Sequence, residues 1–196
     1  DLLILPGSKD TVSDLRWLRS RGLDRSVLAA AARHIPILGL CGGYQMLGDA
    51  LTDDGGVGGT AARERGLGLL PVETAFGAEK RTGALRGATC GSWLLPADLA
   101  VEGYEIHQGY SGGGEPLIIV DGAGEGAVRG LVAGTYAHGL FDSGAVRSAL
   151  VDALRARKVL DPRGGGALED AAAFRERNYE ALADLLEARL DLSGLV

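Results

Sequence analysis

One cysteine of the sequence stands in a setting suited to nucleophilic chemistry. Cys41 lies in the segment GLCGGYQMLG, residues 39–48, after an apolar run and before two glycines and a helical pattern. A tight turn of this kind places the side chain at the carboxyl end of a sheet, where open α/β folds bind their ligands. The N–H groups that begin the helix favour a thiolate, and the Gly42 N–H is positioned to donate to an oxyanion. An isolated cysteine would be interpreted as structural, but this context indicates a nucleophile.

A cysteine nucleophile requires a base, and three histidines are available. His34 ends a helical pattern just before an Ile-Pro pair, so we interpret it as a C-terminal helix cap. His138 follows an apolar strand segment and precedes a glycine, which makes it a credible partner for Cys41. His107 is the competitor, and the spacing of the residues does not exclude it.

Other kinds of site have weak support. The segment GGVGGT, residues 55–60, does not open a helix after a strand, and no G-x-x-x-x-G-K-[ST] motif occurs. We therefore expect no ATP site in this chain. No group of Cys and His residues has zinc-ligand spacing, so we expect no metal and no cofactor in this chain either.

The composition excludes several classes of function. The chain has 196 residues, of which 46% are hydrophobic and 23% are charged, as in globular proteins. Its net charge of -6, without an offsetting basic stripe, argues against binding to nucleic acid. No apolar stretch is long enough to span a bilayer, so no membrane partner is expected. Two cysteines are too few for a disulfide framework, and a reduced, cytoplasmic setting is expected.

The elements around the nucleophile alternate between strand and helix. Apolar runs at residues 2–5 and 35–40 predict strands buried on both faces. Helical spacing is found at residues 11–21, in a second helix that ends near Arg33, and again over residues 43–51. This alternation predicts a parallel sheet with crossover helices.

The middle of the chain changes character. Residues 53–66 are rich in glycine and predict a loop, and short β-like runs separated by glycines follow it. These runs lie at 67–76, 81–90, 101–107, 117–120 and 127–136. They predict antiparallel or mixed strands added to the edge or end of the parallel sheet. Two helices, at 145–158 and from 167 to about 190, close the chain.

These patterns predict one α/β domain over residues 1–196, with an open, mostly parallel sheet flanked by helices and with added antiparallel strands. The chain begins inside an apolar strand and has no initiator methionine. We therefore expect that it is truncated at its N-terminus and belongs to a longer protein.

Five motifs in order carry a resemblance to a known family. The sequence resembles the class I (triad-type) glutamine amidotransferase domains, which have a flavodoxin-like fold, in the branch found at the C-terminal end of cobyric acid synthases. The motifs are LPGSKDTVSDLRWLR (5–19), GLCGGYQMLG (39–48), GLGLLPVET (66–74), GYEIHQG (103–109) and GTYAHGLFD (134–142). A single G-x-C-G-G would not be specific, but five motifs in this order over nearly the whole chain are.

The resemblance implies a set of catalytic roles. Cys41 would attack the side-chain amide of L-glutamine, form a γ-glutamyl thioester and release ammonia, while His138 would relay the protons. The turn at Gly7 and the N–H of Gly42 would form the oxyanion hole. Gln45 would help to hold the glutamine.

Further positions are assigned with less support. His107 and Gly109 match a segment that lines the glutamine pocket in related enzymes. Triad-type enzymes carry a carboxylate two residues after the catalytic histidine, where this chain has Leu140. The third member of the catalytic set is therefore left unassigned, with Asp142 and Glu105 as candidate orienters of the histidine.

The resemblance also implies partners outside the chain. The ammonia would reach a synthetase domain of the same polypeptide, which would use ATP and Mg²⁺ to activate peripheral carboxylates of a corrin ring during cobalamin biosynthesis. That domain is expected upstream of residue 1. The first strand–helix–strand of the amidotransferase domain is expected to be missing as well.

Several alternatives stay open at this point. The amidotransferase subunit of lipid II isoglutaminyl synthase shares the CGGYQ and GTY-x-HG elements, but LPGSKD, YEIH and LFD stand against it. Cobyrinic acid a,c-diamide synthase usually has an acidic residue before the cysteine, where this chain has Leu40. A γ-glutamyl hydrolase-like cysteine hydrolase would use the same dyad without a synthetase partner. A non-enzymatic scaffold would have no reason to keep both Cys41 and His138.

Overall fold

The computed structural model describes residues 1–57 and 62–190. In chain order the elements are β1 (Leu3–Leu5), α1 (Thr11–Ser20), α2 (Leu23–Ala32), β2 (Ile37–Leu40), α3 (Gly42–Leu47), β3 (Ala50–Asp53), β4 (Ala62–Arg65), β5 (Glu73–Cys90), β6 (Ala97–Gly112), β7 (Ile118–Val120), β8 (Ala123–Glu125), β9 (Ala127–Arg129), β10 (Val132–Thr135), α4 (Gly144–Arg157) and α5 (Ala171–Arg189). A short 3-10 helix, Leu140–Asp142, lies between β10 and α4. The predicted α/β class is confirmed.

The first sheet contains the parallel strands. Its order is β1-β2-β10-β9, in which β1, β2 and β10 are parallel and β9 is antiparallel to β10. The register pairs Leu5 with Gly39 and Thr135 with Leu40. The three parallel strands therefore end at the same edge of the sheet. Strand β2 is the middle one of the three. The turn that follows it therefore lies at this edge, between the segment after β1 and the segment after β10.

The middle of the chain builds a second sheet. Its order is β4-β3-β5-β7-β8, and β6 pairs with β5 in a long antiparallel hairpin. Strand β6 also reaches the segment after β10, because Tyr104 N–H donates to His138 O at 3.0 Å and His138 N–H donates to Tyr104 O at 2.8 Å. The antiparallel strands expected beside the parallel sheet thus form a sheet of their own, which is tied to the end of the first one.

Strand β2 is buried on both faces, as expected for a short continuous apolar run. Ile37 packs in one apolar cluster with Leu15 of α1 and Leu47 of α3. The next residue, Leu38, packs in a second cluster with Val146 of α4. Successive side chains of a strand point to opposite faces, so β2 lies between two apolar layers that hold it in place.

Two predicted elements differ from the structure. The helix expected over residues 43–51 ends at Leu47, because the chain then turns and pairs as β3. The loop expected over residues 53–66 contains β4, which pairs with β3; residues 58–61 of that segment lie outside the described residues. Local apolar spacing does not reveal pairing of this kind, since it depends on a partner strand elsewhere in the chain.

The C-terminal helix α5 stands apart from both clusters. None of its residues is buried. Five large apolar side chains are between 43% and 64% exposed: Phe174, Tyr179, Leu182, Leu185 and Leu186. Their spacing places them on one side of the helix. Across the described ranges, no helix combines the length and the apolar character that crossing a bilayer requires.

We expect Gly43→Ala to destabilise the fold. A Cβ at this position would lie 2.1 Å from the carbonyl oxygen of Leu5 in β1, so helix α3 would have to move away from the parallel sheet. The free energy of unfolding should fall by about 1–3 kcal/mol, as measured by urea denaturation with tryptophan fluorescence. Gly77→Ala is the matched control, because a Cβ there would have no neighbour within 4 Å. Equal effects of the two substitutions would contradict this close packing.

Candidate active site

Cys41 sits on a strained turn between β2 and α3. Its backbone has φ 51° and ψ -111°, a conformation that costs a non-glycine residue about 1–3 kcal/mol. Two hydrogen bonds hold this turn: Cys41 N–H donates to Thr135 O at 2.9 Å, and Gln45 N–H donates to Cys41 O at 3.1 Å. The tight turn predicted at this position is therefore present, and it is held by β10 on one side and by α3 on the other.

The loop after β1 packs directly against this turn. A Cβ on Gly42 would lie 2.7 Å from Ser8 N, and a Cβ on Gly7 would lie 3.6 Å from the Cβ of Cys41. Glycine at position 42 thus allows the Ser8 backbone to approach the start of α3. The loop that contains Gly7 therefore packs against both Cys41 and Gly42, and it brings together the two residues predicted for the oxyanion hole.

A pocket of about 420 Å³ opens beside Cys41, a volume in the range of small-molecule sites. Of the seven residues predicted for the site, five line it: Gly7, Cys41, Gln45, His107 and His138. Seven others that the sequence did not single out line it as well: Ser8, Lys9, Thr11, Phe76, Lys80, Ile106 and Gln108. Gly42 and Gly109 are not among the lining residues.

The pocket has a positive character. Lys9 and Lys80 line it and are both exposed to solvent. Within the described part of the chain, no carboxylate is among the lining residues. The mouth of the pocket therefore favours a ligand that carries an anionic group.

His138 lines this pocket and has a ring nitrogen without a hydrogen-bond partner among the described residues. This atom is Nε2, and it is buried. The ring stacks on that of Tyr104, with centroids 5.2 Å apart and planes inclined by 14°. Buried polar atoms are usually hydrogen-bonded, so an unpartnered one requires an explanation. An imidazole nitrogen in the same pocket as Cys41 is suited to accept the thiol proton.

His107 lines the same pocket, but its ring is engaged elsewhere. Its Nδ1 atom donates to Gly109 O at 3.0 Å, and its Nε2 atom lies 3.4 Å from the Glu105 carboxylate. The ring also stacks on Tyr136, with centroids 3.6 Å apart. Burial is the main cause that lowers the pKa of His107, and its hydrogen bonds to Glu105 and Gly109 oppose this effect. Gly109, with φ 87°, turns the chain and supplies a carbonyl to His107 rather than a pocket surface.

His34 lies outside the pocket, at the C-terminal end of α2. Its N–H donates to Ala31 O, and the Ile35 N–H donates to Ala30 O, both at 2.9 Å. With His34 at φ 56°, these bonds satisfy the last carbonyls of the helix in the manner of a Schellman motif. The interpretation of His34 as a helix cap is confirmed.

Burial raises the pKa of the Cys41 thiol, and a hydrogen bond from the Gly42 N–H opposes this with a smaller effect. The start of α3 was expected to favour the thiolate. That contribution is present, but the loss of solvation outweighs it. In the free protein the thiol is therefore protonated at neutral pH, and a base has to remove its proton before it can act as a nucleophile.

Gln45 joins three walls of the pocket. Its Oε1 atom accepts from Thr11 Oγ1 at 2.8 Å, and its Nε2 atom donates to Gln108 O at 2.9 Å and to Tyr136 Oη at 3.0 Å. Both amide N–H donors are thus used within the protein. Gln45 therefore connects the pocket walls, and the role in holding glutamine that the resemblance implies stays a prediction.

Sequence reasoning missed Thr11 and Tyr136. Both lie inside the quoted motifs, which was the available signal. Their roles come from hydrogen bonds to Gln45 across 34 and 91 positions of the chain. Such contacts depend on how the strands and helices pack, so local spacing does not predict them.

Among the residues that the structure describes, neither candidate carboxylate takes the place of a third triad member. Leu140, two residues after the histidine, is 2% exposed and packs in the core. Glu105 forms an ion pair with Arg81 at 2.5 Å. No hydrogen bond or ion pair joins the carboxylate of Glu105 or Asp142 to either ring nitrogen of His138 among the described residues.

Comparison with known proteins bears out the resemblance seen in the motifs. A family model described as the CobB/CobQ-like glutamine amidotransferase domain matches residues 1–146. The cobyric acid synthase of Desulforudis audaxviator is 46% identical over 203 residues, which cover 98% of this chain and 40% of that protein. The cobyric acid synthase of Rhodobacter capsulatus is 44% identical over 200 residues, which cover 100% and 39%. That of Mycobacterium marinum is 42% identical over 196 residues, which cover 100% and 36%.

The chain thus spans 36–40% of the length of these relatives. A crystal structure of a glutamine amidotransferase superposes with a TM-score of 0.51 at 18% sequence identity, and the match covers 71% of each chain. At this identity the likeness concerns the fold alone.

The raised pKa of Cys41 predicts how the thiol reacts with an alkylating reagent. In a Cys90→Ser background, the rate of alkylation by iodoacetamide should keep rising with pH beyond about 8.5, the ordinary value for a cysteine thiol, since only the thiolate reacts. The measurement is mass-spectrometric labelling of Cys41 at a series of pH values. A rate that already reaches its plateau at neutral pH would mean that the free protein holds a thiolate, against the effect of burial described above.

Proposed function

Since the chain belongs to the CobB/CobQ-like glutamine amidotransferase domain family, we propose that it hydrolyses the side-chain amide of L-glutamine with Cys41 as nucleophile and His138 as base. One observation carries this assignment. Cys41, on its strained turn, and His138, whose buried Nε2 atom has no hydrogen-bond partner among the described residues, line one pocket.

The reaction runs in two steps. His138 Nε2 takes the thiol proton, and the Cys41 sulfur attacks the amide carbon of glutamine. The C–N bond then breaks, the proton passes from His138 to the leaving nitrogen, and ammonia leaves behind a γ-glutamyl thioester. In the second step His138 removes a proton from water, the hydroxide attacks the thioester, and glutamate and the thiol are released. The sum is glutamine plus water to glutamate plus ammonia.

The negative oxygen that develops in each step needs donors on the side of Cys41. The Gly42 N–H already lies close enough to the sulfur to stabilise its charge, and the loop at Gly7 packs against the same residue. Backbone donors of this kind stabilise the transition state because they are held in place before the charge forms. We assign Gly7 and Gly42 to the oxyanion hole on this support.

The remaining lining residues suit glutamine as the substrate. Glutamine carries an α-carboxylate, and Lys9 and Lys80 are the cations at the mouth of the described pocket. The His107 ring lies against Tyr136 and is held by Gly109 O, so it forms a wall of the pocket. Gln45 keeps that wall and the α1 side of the pocket at a fixed separation through its hydrogen bonds.

The ammonia serves a partner domain in this proposal. Identities of 42–46% to cobyric acid synthases over nearly the whole chain support a role in the ATP- and Mg²⁺-dependent amidation of corrin carboxylates in the cytoplasm. The partner is a synthetase domain of the same polypeptide, which holds the ATP, the Mg²⁺ and the corrin acceptor. The isoglutaminyl synthase subunit and the cobyrinic acid diamide synthase remain the alternatives for the same chemistry with another acceptor.

Helix α5 supports the existence of a large partner. The family model ends at residue 146, whereas cobyric acid synthases align with 98–100% of this chain, α5 included. The helix exposes a row of apolar side chains and none of its residues is buried. Apolar surface of this kind is normally covered by another element. We assign that cover to the remaining part of the same polypeptide.

Substitution of the nucleophile separates the two halves of the reaction. In the full-length protein, Cys41→Ala should lower glutamine hydrolysis by more than about 1000-fold, because the thioester cannot form. Amidation of the corrin acceptor with added ammonium chloride should persist. The measurements are glutamate release and amide formation by mass spectrometry.

Cys90→Ser is the control for this experiment, since Cys90 is the other free cysteine and does not line the pocket. Loss of the ammonia-dependent activity in Cys41→Ala would contradict the division of labour proposed here. Glutamine hydrolysis without amidation of any acceptor in the wild-type protein would favour a γ-glutamyl hydrolase-like enzyme instead.

The double substitution Leu182→Gln/Leu185→Gln tests the surface of α5. In the full-length protein it should reduce glutamine-dependent amidation more than ammonia-dependent amidation, because it weakens contact between the two domains. Glu180→Gln/Asp184→Asn on the opposite side of the helix is the matched control. Unchanged glutamine-dependent amidation together with a change in oligomeric state would assign the surface to a second copy and contradict the proposal.

A further inference from the structure

A carboxylate outside the glutamine pocket holds the chain segment that carries His138. Glu125, at the end of β8, accepts a hydrogen bond from Thr135 Oγ1 and another from the Tyr136 N–H, each at 2.6 Å. Thr135 Oγ1 in turn accepts from the Ala137 N–H at 2.9 Å. The three residues immediately before His138 are therefore fixed, directly or through one hydroxyl, to a single carboxylate.

This segment determines the geometry of both sides of the pocket. Its last residue carries the imidazole, whose Nε2 atom has no partner in the described part of the chain. Tyr136 stacks on His107 at 3.6 Å and accepts a hydrogen bond from Gln45. A shift of the segment would therefore move the base relative to Cys41 and would disturb the opposite wall.

We infer that Glu125 is a positioning residue of this centre: it orients His138 through the backbone of the strand end, where triad-type enzymes place a carboxylate on the imidazole itself. The inference rests on the proposed function, since it concerns the base of that reaction. It differs from a triad because Glu125 bonds to Thr135 and Tyr136 rather than to the histidine ring.

A carboxylate suits this task for a physical reason. Two donors converge on it, and an ionised carboxylate accepts both with charge-assisted bonds. Loss of solvation raises the pKa of Glu125, while these two hydrogen bonds lower it and oppose that effect. Alanine at this position would leave the buried Thr135 hydroxyl and the Tyr136 N–H without their partner. The strand itself would remain, because β10 is paired on both sides, with β2 and with β9.

The test compares Glu125→Ala with Glu125→Gln in the full-length protein. Glu125→Ala should lower kcat for glutamine hydrolysis by about 100-fold, the effect of displacing a catalytic group by roughly 1 Å, and should leave ammonia-dependent amidation unchanged. Glu125→Gln should recover kcat to within about tenfold of wild type, because an amide can still accept from the Tyr136 N–H and pair with the Thr135 hydroxyl. The pH profile of kcat/KM should be the same in Glu125→Gln as in wild type, since the effect is one of position.

Glu115→Ala is the matched control, because Glu115 is an exposed carboxylate that precedes β7; it should behave as wild type. The inference is overturned if Glu125→Ala keeps kcat within about threefold of wild type, because a 1 Å displacement of the base should lower kcat by about 100-fold. It is also overturned if Glu125→Ala loses the ammonia-dependent activity in parallel, which would indicate general damage to the fold. A shifted pH profile in Glu125→Gln would show that the charge acts on the dyad directly, against a role through the backbone.

A readout that does not depend on glutamine hydrolysis separates this inference from the proposed function. If wild-type protein fails to hydrolyse glutamine, the proposed function is wrong whatever Glu125 does. In a Cys90→Ser background, Glu125→Ala should still slow the alkylation of Cys41 at neutral pH, though less than His138→Ala does, because it displaces the base that His138→Ala removes. Alkylation at the wild-type rate in Glu125→Ala would contradict the positioning role by itself.

Discussion

The conformation of Cys41 is the constraint on which the rest of the site depends. A non-glycine residue at φ 51° is held against an unfavourable backbone energy, so its neighbours have to fix it. Strand β2 enters the turn between β1 and β10, and α3 leaves it at once. Glycine follows the cysteine at Gly42 and Gly43 because the backbones of the β1 segment come within 3 Å of where a side chain would begin. The parallel sheet and the glycines are therefore both needed to hold Cys41 in its strained conformation.

The polar side chains of the site divide by whether their hydrogen bonds are satisfied within the protein. Gln45 uses its carbonyl and both N–H donors on neighbouring segments, and His107 donates to Gly109. His138 leaves Nε2 unpartnered in the described part of the chain. Satisfied groups give the pocket its shape, and the unsatisfied nitrogen is available for chemistry. The Glu125 carboxylate is also satisfied within the protein. Its partners, Thr135 and Tyr136, lie just before His138 in the chain.

The burial that shapes the pocket also affects its reactivity. Loss of solvation raises the pKa of the Cys41 thiol more than the Gly42 N–H lowers it, so the free protein carries a neutral thiol. The proton of this neutral thiol then has to move to a base before the sulfur can react. The position of His138 therefore matters, and no carboxylate among the described residues is hydrogen-bonded to its ring. A centre of this kind depends on the rigidity of the strand ends.

The sequence by itself determined the features that are local. A buried strand, a Cys-Gly-Gly turn and a helix start are encoded by consecutive residues, so Cys41, its tight turn and the parallel sheet were all predicted. Spacing alone left His107 and His138 open as the base, and the resemblance favoured His138. The contacts of these rings were not predictable, because they depend on which ring nitrogens find partners after folding. The same holds for Gln45, whose partners lie up to 91 positions away, and for Glu125, which no motif marks. Only the tertiary structure shows these contacts, because hydrogen bonds between distant residues follow from strand register and packing rather than from spacing along the chain.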